Sequence, residues 1–346
     1  MNVYDFIVRK DSSVREAMKQ LDRTAQQILF VVDSDLRLCY SLSDGDIRRY
    51  LLSGGKLSGK VCQAGYENPK FAKNLEEANK IYDAKYCTAV PIVDDDKRII
   101  DIFFGNDQEV KVYSNLSIPV VINAGGKGTR LDPYTRVLPK PLIPVGELPI
   151  IEHIMQEYVK YGCVDFHMIV NYKKQLIKTY FTESDNKYSL SFYDEEKPLG
   201  TGGGLCFLKG VINSTFFFTN CDNLLRTDYE GLLNFHREQR NDITMVCAYK
   251  NITIPYGVVE MGLNGTIDKM QEKPELSFLT NTGIYVVEPE VLENIEYGVP
   301  IGFPDIINRE IKMGRRISVY PVNESQWMDM GQISELEKMR KQLYGE

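Results

Sequence analysis

Histidine and cysteine are too few and too scattered in this sequence to build a metal or disulfide framework. Three histidines occur in 346 residues and lie far apart, which excludes a His-rich metal site. The seven cysteines include no Cys-x-x-Cys pair, and an odd, unpatterned set of this kind indicates buried free thiols. Any metal bound by this chain must therefore be a hard cation held by oxygen ligands.

A basic surface and a long apolar segment are also missing. The net charge is −7 and no cluster of lysines and arginines stands out, so we expect no nucleic-acid partner. No apolar run approaches the ~20 residues of a membrane span, and the first residues lack the basic-then-apolar order of a signal peptide. We therefore expect a soluble, cytoplasmic protein without a membrane partner, and the length suits two domains.

An internal repeat occupies the first third of the chain. A helix pattern, an apolar strand, an acidic turn and a second strand follow one another, and this order occurs twice. The stretches "LFVVDSDLRLCYSL" and "AVPIVDDDKRIIDIF" show the same succession of apolar, acidic, basic and apolar residues. One such unit would bury too little apolar surface to fold alone, so the two are expected to pack together. We assign the repeats to residues 1–57 and 58–113.

This repeat resembles a pair of cystathionine-β-synthase (CBS) domains, and the phrase "SLSDGDIRRYL" carries most of the likeness. The resemblance implies an adenine nucleotide between the two halves, with Ser43 and Asp46 holding its phosphate and ribose. A helix N-cap at Ser43 or Asp44 explains the same residues without a ligand. The second repeat has "DIFFGNDQEV" at the matching place, which lacks the Ser/Thr-x-x-Asp pattern and argues against a second nucleotide site.

From Val120 onward, strand patterns alternate with helix patterns, after a linker at residues 113–119. Such alternation predicts an α/β fold with a doubly wound, mostly parallel sheet, whose ligands bind beyond the carboxyl ends of the strands. We therefore expect a Rossmann-like domain at residues 119–346, preceded by the α/β repeat domain.

The stretch "VVINAGGKGTRLDPYTRVLPKPL" at residues 120–142 joins an apolar strand to a glycine-rich turn. It is not a Walker A loop, since Val121 stands where the first glycine belongs and Lys127 is followed by glycine. It is not a Rossmann G-x-G-x-x-G turn, because Leu131 stands where the third glycine belongs. Glycines still let backbone N–H groups approach an anion, and Arg130 adds a fork of donors that suits phosphate oxygens.

Six motifs in order make the second domain resemble the sugar-1-phosphate nucleotidyltransferases, which join a nucleoside triphosphate to a sugar phosphate and release pyrophosphate. The motifs are "GGKGTRL" with "PKPL", "EEKPLGTGGGL", "FFFTNCDNLL", "QEKP", "NTGIYVV" and "WMDMGQISEL". The likeness covers most of residues 119–346. A non-catalytic regulatory subunit of the same fold is the alternative, but it would have lost charged residues that this chain retains.

The resemblance assigns site residues motif by motif. Arg130 and Lys140 would hold the triphosphate, and Lys273 would hold the sugar phosphate. The nucleotide site would consist of Ala124, Gly125, Gly126, Gly128, Thr129, Arg130, Lys140, Glu195, Gly200 and Thr201. The sugar-phosphate site would consist of Gly257, Glu272, Lys273, Asn281 and Thr282.

Asp222 and Asp329 each follow an apolar run and are the candidate ligands of Mg²⁺, which prefers one or two carboxylates together with phosphate oxygens and water. Turn or cap formation is the alternative explanation for both. No general base is required, because a phosphate monoester is already largely ionised near neutral pH. Two departures from the family pattern, Cys221 in place of a common glycine and GTGGGL in place of GTAGAL, remove no charged group.

Glu195 stands where relatives place a side chain that reads the base. A carboxylate can accept both adjacent donors on the edge of guanine, whereas uracil or thymine offers one donor between acceptors. This favours GTP, although a solvated charge at a strand end would explain Glu195 equally well. The succession of a CBS pair and this transferase resembles bacterial enzymes of surface-glycan and nonulosonic-acid pathways, in particular the glucosamine-1-phosphate guanylyltransferases of the legionaminic acid route.

The resemblance therefore implies GTP and glucosamine 1-phosphate as substrates, Mg²⁺ as cofactor and a homo-oligomer as the assembly. CTP, UTP or dTTP with a neutral hexose 1-phosphate is the open alternative. Nothing in the spacing of the residues indicates an amino sugar.

Overall fold

The computed structural model describes residues 3–24, 27–84, 87–105, 113–182 and 188–344, and the chain divides into two compact units, Met1–Val112 and Tyr113–Glu346. No helix within these described ranges has both the length and the apolar character that a bilayer crossing requires. The elements of the first unit are β1 (Ile7–Arg9), α1 (Val14–Thr24), β2 (Ile28–Val32), β3 (Leu38–Ser43), α2 (Asp44–Leu52), α3 (Leu75–Asp83), β4 (Ala89–Val93) and β5 (Ile99–Phe104).

The second unit holds the larger set of helices and strands. They are β6 (Val120–Ala124), α4 (Tyr134–Val137), β7 (Pro144–Val145), β8 (Leu148–Pro149), α5 (Ile150–Val159), β9 (Asp165–Val170), α6 (Lys174–Thr182), β10 (Ser189–Asp194), β11 (Phe216–Asn220), β12 (Asn223–Leu225), α7 (Tyr229–Glu238), β13 (Ile243–Thr253), β14 (Val258–Met261), β15 (Ile267–Gln271), β16 (Glu275–Val287), α8 (Glu290–Glu293), α9 (Phe303–Lys312), β17 (Ile317–Val322), β18 (Trp327–Asp329) and α10 (Ile333–Tyr344). Short 3₁₀ turns at Thr129–Leu131, Lys140–Leu142 and Gly203–Leu208 lie between them.

The two strand turns of the first unit are built in the same way. Between β2 and β3, the Asp33 carboxylate accepts hydrogen bonds at 2.8 and 3.0 Å from the backbone N–H groups two and four residues later. Between β4 and β5, Asp94 accepts the equivalent bonds at 3.0 and 2.8 Å. Leu36 and Lys97 occupy matching positions in the left-handed region, with φ values of 64° and 62°. Both turns are therefore Asx turns of one type.

The two turns also bond to each other reciprocally. The N–H of Leu38 donates to the carbonyl of Lys97 at 2.9 Å, and the N–H of Ile99 donates to the carbonyl of Leu36 at 3.3 Å. This exchange gives the first unit a local twofold axis between its halves. A common hydrophobic core, which includes residues from β2, β4 and β5, lies beneath the turns. The symmetry supports the assignment of residues 58–113 to a second CBS repeat, which stays a prediction.

A mixed sheet of seven strands forms the centre of the second unit, in the order β10–β9–β6–β11–β16–β13–β17. β16 runs antiparallel to its neighbours β11 and β13, and every other pairing in this sheet is parallel. The chain begins with β6, continues outward to β9 and β10, and then returns to the other side of β6 as β11. The predicted α/β fold with a doubly wound, mostly parallel sheet is confirmed, and its switch point lies between β6 and β11.

Alternating side chains of the central strands pack into two hydrophobic cores on opposite faces of the sheet. In β11, Phe217 belongs to the core that contains residues of α5, α7 and α10. Its neighbours Phe216 and Phe218 belong to the core that contains residues of α8 and α9. This period-two pattern on a strand that is buried on both faces is what a sheet covered on both sides requires.

The cysteines are all unpaired, but only four of the seven are buried. Cys163, Cys206, Cys221 and Cys247 lie in the second unit's interior, whereas the three in the first unit are partly exposed. The expectation of buried free thiols is therefore correct for the second unit only.

We expect Phe218→Ala to lower the free energy of unfolding of the second unit by about 3–5 kcal/mol, because it removes a ring packed against Tyr285 and Phe303 in a fully buried position. Trp327 is the one tryptophan of the chain and lies in β18, so urea unfolding followed by its fluorescence reports this unit. Val164→Ala at an exposed position is the control, with an expected change within about 0.5 kcal/mol. Equal losses for both variants would contradict the packing described.

Candidate active site

The switch point gathers the predicted motifs at one edge of the sheet. β6 and β11 lie side by side and parallel, with Asn123 opposite Asn220 at their carboxyl ends. The glycine-rich loop follows β6, and Asp222 follows β11 in a turn that leads into β12. A crevice at such a position is where open α/β sheets bind ligands.

The glycine-rich loop is tightly held at both ends and open in the middle. A Cβ on Gly125 would lie 2.7 Å from Oε2 of Glu195, and a Cβ on Gly128 would lie 2.9 Å from the Thr135 side chain. Gly128 also has a φ of +65°, and its carbonyl accepts a hydrogen bond from the Thr135 hydroxyl at 3.1 Å. Gly126 has open space around it. Side chains of the surrounding residues approach Gly125 and Gly128 too closely for any larger residue. The middle of the loop, at Gly126, is free to face a ligand.

Two cations come from the segment that follows the loop. The largely buried ammonium of Lys140 forms an ion pair with the largely buried carboxylate of Asp222. Lys140 begins a 3₁₀ turn between two prolines, which restrict its backbone. Arg130 lies exposed at the other end of the segment, close enough to lower the pKa of Asp329.

The two candidate metal ligands lie at neighbouring strand ends, with Asp222 just before β12 and Asp329 at the end of β18. β12 pairs antiparallel with β18, which sets Asn223 opposite Asp329, and the N–H of Met330 donates to the Asp222 carbonyl at 2.9 Å. Burial raises the pKa of Asp329, and the negative charge of Asp222 raises it further, while Lys140 and Arg130 lower it. Arg130, Lys140, Asp222 and Asp329 therefore form one electrostatic group, called the charge cluster below.

Glu195 lies directly after β10, against the glycine-rich loop. Its side chain is only 4% exposed and fits between Gly125 and Gly204, where an added Cβ would approach its carboxylate to 2.7 and 2.8 Å. Oε1 has no hydrogen-bond partner among the residues that the structure describes, and burial raises the pKa of the carboxyl to about 7. A buried carboxylate oxygen without a hydrogen-bond partner is costly in a protein core, so this group is a candidate to face a ligand.

The loop at Gly200 and Thr201 packs against the start of α9. Gly200 has a φ of +78°, and a Cβ there would lie 2.7 Å from the Ile301 carbonyl oxygen. The hydroxyl of Thr201 accepts a hydrogen bond at 2.9 Å from the N–H of Phe303, the first residue of α9. The Thr201 side chain thus serves this helix end, and its assignment to nucleotide binding stays a prediction.

Three of the residues expected around the sugar phosphate, Gly257, Glu272 and Lys273, flank the two-stranded ribbon formed by β14 and β15. Gly257 precedes β14 and packs against Glu272, since a Cβ there would lie 3.0 Å from the carboxylate. Lys273 follows at the end of β15 with a φ of +43°, and its N–H donates to the Tyr256 carbonyl at 3.2 Å. A lysine in the left-handed region is uncommon, and strain of this kind concentrates at functional sites.

Asn281 and Thr282 lie where β16 passes β11. Asn281 donates from Nδ2 to the Tyr285 hydroxyl at 2.7 Å, and its Oδ1 accepts from the N–H of Gly283 at 2.9 Å. Thr282 is buried, and its hydroxyl donates to the Val246 carbonyl at 2.8 Å. A sugar contact by the Thr282 hydroxyl would therefore have to break an internal bond.

At Gly283, β16 packs closely against residues 220–223, the segment that contains Asp222. The φ of Gly283 is +76°, and an added Cβ would lie 2.5 and 2.7 Å from the side-chain amides of Asn220 and Asn223. The structure therefore brings the part of β16 that contains Asn281 and Thr282 close to the charge cluster. Among the described residues it shows no hydrogen bond or ion pair between Lys273 and that cluster.

Lys173 also lies in this region, although it belongs to none of the sequence motifs. Its ammonium donates to the carbonyls of Thr135 at 3.3 Å, Arg136, and Val137 at 2.9 Å, and so holds the end of the short helix α4 between Arg130 and Lys140. Next to it, Asn171 donates to the Glu195 carbonyl at 3.0 Å. Both residues follow the buried strand β9, and a position at the carboxyl end of a parallel strand is the signal that could have found them.

Ser43 and Asp46 in the first unit form a complete capping box at the start of α2. The Ser43 N–H donates to Asp46 Oδ2 at 2.8 Å, and the Asp46 N–H donates to Ser43 Oγ at 3.2 Å. Arg49 also pairs with the Asp46 carboxylate. The capping alternative is thus present, while the nucleotide role stays a prediction. In the second repeat, residues 106–110 of the matching segment "DIFFGNDQEV" lie outside the described residues.

Comparison with known families adds to this geometry. The nucleotidyl transferase family model matches residues 119–345, and the CBS domain model matches residues 2–53. The chain is 34% identical over 222 residues to the mannose-1-phosphate guanylyltransferase catalytic subunit beta of Drosophila pseudoobscura pseudoobscura, which covers 61% of this chain and 58% of that protein. It is 31% identical over 224 residues to the mannose-1-phosphate guanyltransferase of Saccharomyces cerevisiae, which covers 61% of each. The chain thus spans about three fifths of these relatives.

Solved structures share the fold of the second unit. HddC from Yersinia pseudotuberculosis aligns with a TM-score of 0.52 at 21% identity, over 65% of this chain and 99% of that one. A putative glucose-1-phosphate thymidylyltransferase from Bacillus anthracis aligns with a TM-score of 0.52 at 21% identity, over 65% of this chain and 94% of that one. At this level of identity the likeness shows the fold alone.

We expect Asp222→Asn to lower the pKa of Asp329 and Lys140→Met to raise it, because the first removes a repelling charge and the second an attracting one. Carboxyl carbon NMR titration measures both shifts, and the Asp329→Asn variant assigns the resonance. Asp165→Asn, an exposed carboxylate on β9, is the control and should leave the pKa of Asp329 unchanged. An Asp329 titration that is the same in all variants would disprove the charge cluster.

Proposed function

Because the chain belongs to the nucleotidyl transferase family, we propose that it transfers a nucleotidyl group from a nucleoside triphosphate to a sugar 1-phosphate and releases pyrophosphate. The observation that carries this proposal is the charge cluster at the switch point, next to a glycine-rich loop that is open in its middle. Both substrates are anions, so the reaction depends mainly on neutralised charge and on alignment of the reacting oxygen and phosphorus.

Lys140 and Arg130 are proposed to bind the triphosphate. Lys140 forms an ion pair with Asp222, and a bound triphosphate would offer its ammonium a second anionic partner. Arg130 lies exposed beside the same cluster, and its planar fork suits phosphate oxygens. In this scheme Arg130 stabilises negative charge on the leaving pyrophosphate.

Asp222 and Asp329 are proposed to hold Mg²⁺. The donor set fits this ion, since two neighbouring carboxylates are mostly buried and the charge of one raises the pKa of the other. The described residues contain no group of three or more His, Cys, Asp or Glu side chains that could hold a metal ion by themselves, so phosphate oxygens and water would complete the ligand set. When bound, the ion would supply positive charge to the phosphates.

Lys273 is proposed to bind the sugar phosphate, with Gly257, Glu272, Asn281 and Thr282 around the sugar. A phosphate monoester is largely ionised near neutral pH, so its oxygen attacks without a general base. Lys273 then compensates the charge of the attacking group and orients it. The left-handed backbone at this lysine agrees with a functional role, because strained backbone concentrates at functional sites.

Glu195 is proposed to read guanine. Its buried carboxylate, whose Oε1 has no partner among the described residues, lies beside the glycine-rich loop, and a carboxylate can accept the two adjacent donors of the guanine edge. Relatives at 31–34% identity are named as guanylyltransferases, which supports GTP as the donor. CTP, UTP or dTTP is the second candidate.

Glucosamine 1-phosphate is the acceptor that we propose, in a bacterial nonulosonic-acid pathway such as that of legionaminic acid. The support is the succession of a CBS domain and this transferase. Mannose 1-phosphate is the second candidate, because the relatives are named for it. We also propose that the first unit binds an adenine nucleotide near Ser43 and Asp46 and regulates the transferase.

Pyrophosphate release with Mg²⁺ tests the function directly, with GTP, CTP, UTP, dTTP and ATP each paired with glucosamine, N-acetylglucosamine, mannose and glucose 1-phosphate. We expect turnover with GTP and glucosamine 1-phosphate. Turnover with mannose 1-phosphate would keep the chemistry and replace the acceptor. The absence of turnover with every pair would favour a non-catalytic regulatory subunit.

We expect GTP binding to weaken as the pH falls through about 7, by up to about tenfold per unit, because a protonated Glu195 must lose its proton before it accepts both guanine donors. Glu195→Gln should remove this pH dependence and reduce the preference for GTP over UTP by about 10- to 100-fold. Calorimetric titration at several pH values measures both effects.

UTP carries the same triphosphate and controls for phosphate ionisation in this experiment. Glu196→Gln controls for a change of charge at the neighbouring position. A GTP preference that survives in Glu195→Gln would remove the structural argument for guanine.

We expect Lys273→Met to reduce kcat/KM for the sugar 1-phosphate by about 100-fold or more, as is typical when a preorganised charge is removed from a reacting phosphate. Lys269→Met, an exposed lysine in the same ribbon, should have little effect. Similar rates for both variants would place Lys273 among solvated surface charges.

A further inference from the structure

Gly202 and Gly204 stand where the pattern GTAGAL has alanine, and the backbone conformation requires neither glycine. Neither residue has a positive φ, so a Cβ would not strain the backbone itself. A Cβ on Gly202 would meet the start of α9, at 2.4 Å from Cδ1 of Ile306 and 3.2 Å from the backbone nitrogen of Phe303. A Cβ on Gly204 would instead lie 2.8 Å from Oε1 of Glu195. Of these two glycines, Gly204 is therefore the one that borders the proposed base-reading side chain.

The carboxyl of Glu195 lies in a slot whose walls are two glycines. Oε2 lies 2.7 Å from the position of a Cβ on Gly125, and Oε1 lies 2.8 Å from the position of a Cβ on Gly204. Both distances are shorter than a non-bonded contact allows. This space, called the carboxyl slot below, is therefore wide enough for a carboxyl group because neither glycine has a side chain.

The backbone of Glu195 is held in place independently of its side chain. Its N–H donates to the Val170 carbonyl at 2.9 Å, and its carbonyl accepts from Nδ2 of Asn171 at 3.0 Å. A Cβ at position 204 could therefore not be accommodated by a shift of the whole residue. The Glu195 side chain would have to rotate out of the carboxyl slot into another rotamer.

We propose that Gly204 is a positioning residue for base recognition, which keeps the carboxyl slot open so that Glu195 can read guanine. This inference rests on the proposed function, because it assumes that a guanine nucleotide binds beside the glycine-rich loop. Gly204 itself needs no contact with the nucleotide. A side chain at position 204 would displace the carboxyl, and guanine would then lose the acceptor for its two adjacent donors.

The unpartnered oxygen favours this role over a purely structural one. Oε1 of Glu195, the oxygen that faces Gly204, is buried and has no hydrogen-bond partner among the described residues. A slot that served the fold alone would be expected to supply a donor to a buried carboxylate oxygen, because leaving it unsatisfied is costly. The donors of a bound base would remove this cost.

Gly204→Ala tests the proposal in the full chain. We expect the preference for GTP over UTP to fall by about 10- to 100-fold, toward the value of Glu195→Gln, as calorimetric titration with both nucleotides measures. We also expect the pKa of Glu195, which burial raises to about 7 and the N–H of Leu199 lowers in part, to fall toward the usual range of a carboxyl as the group leaves the slot. Carboxyl carbon NMR titration measures this pKa without any nucleotide, and Glu195→Gln assigns the resonance.

Gly202→Ala is the matched control, since it adds the same methyl group two residues earlier and meets α9 instead of Glu195. It should leave both the GTP preference and the pKa of Glu195 unchanged. In the Glu195→Gln background, Gly204→Ala should change the preference by no more than about twofold, because the two substitutions remove one interaction and are not additive.

The fluorescence of Trp327 during urea unfolding shows whether each variant is folded. A Cβ on Gly204 would also lie 2.5 Å from Cγ2 of Ile169. If Gly204→Ala alone does not fold, Gly204→Ala with Ile169→Ala removes this second close contact and leaves the one with Glu195, and Ile169→Ala alone is then the reference.

A GTP preference and a Glu195 pKa that match the wild type in Gly204→Ala would overturn the proposal. An equal loss of preference in Gly202→Ala would overturn it as well, because the loop as a whole would then determine the preference. A wild-type chain that binds neither GTP nor UTP would overturn the proposed function, and the role of Gly204 in base recognition with it. The NMR titration would still show in that case whether Gly204 holds the carboxyl slot open.

Discussion

A pair of partly buried carboxylates is the constraint on which the second unit's functional end depends. Asp222 precedes β12, Asp329 ends the paired strand β18, and the negative charge of Asp222 raises the pKa of Asp329. Their charges need cations at close range, and the segment after β6 supplies Lys140 and Arg130. The prolines beside Lys140, the glycines of the loop and the hydrogen bonds from Lys173 to α4 restrict the backbone that carries these two cations. The neighbouring position of β6 and β11 makes the arrangement possible.

The sequence predicts well what a single segment can encode. Strand and helix alternation is local, and it predicts the doubly wound sheet; the glycine-rich loop is also local and lies at the switch point. Long-range hydrogen bonds leave no comparable mark. Thr201 bonds to Phe303, and Thr282 bonds to Val246, through backbone groups that every residue possesses. Tertiary packing decides which backbone group lies near each threonine hydroxyl, so these partners could not be predicted from sequence.

Two of the sites inferred from sequence contain internal bonds. Ser43 and Asp46 bond to each other, and Lys140 bonds to Asp222. A ligand at either place would exchange these bonds for its own, so its affinity would reflect a difference between two sets of contacts. Glu195 differs, because its Oε1 has no partner among the described residues and a ligand that bonds to this oxygen would replace no internal bond.

Cys221 stands directly before Asp222, where the resembling family commonly has glycine. It is buried in the core beneath the sheet, and burial raises the pKa of its thiol to about 12. Oxidants and alkylating reagents attack the thiolate, and hardly any thiolate exists at neutral pH when the pKa is so high. The cysteine therefore fills space beside the charge cluster as an inert apolar group. Chemistry at this edge of the sheet should accordingly be indifferent to the redox state of its surroundings.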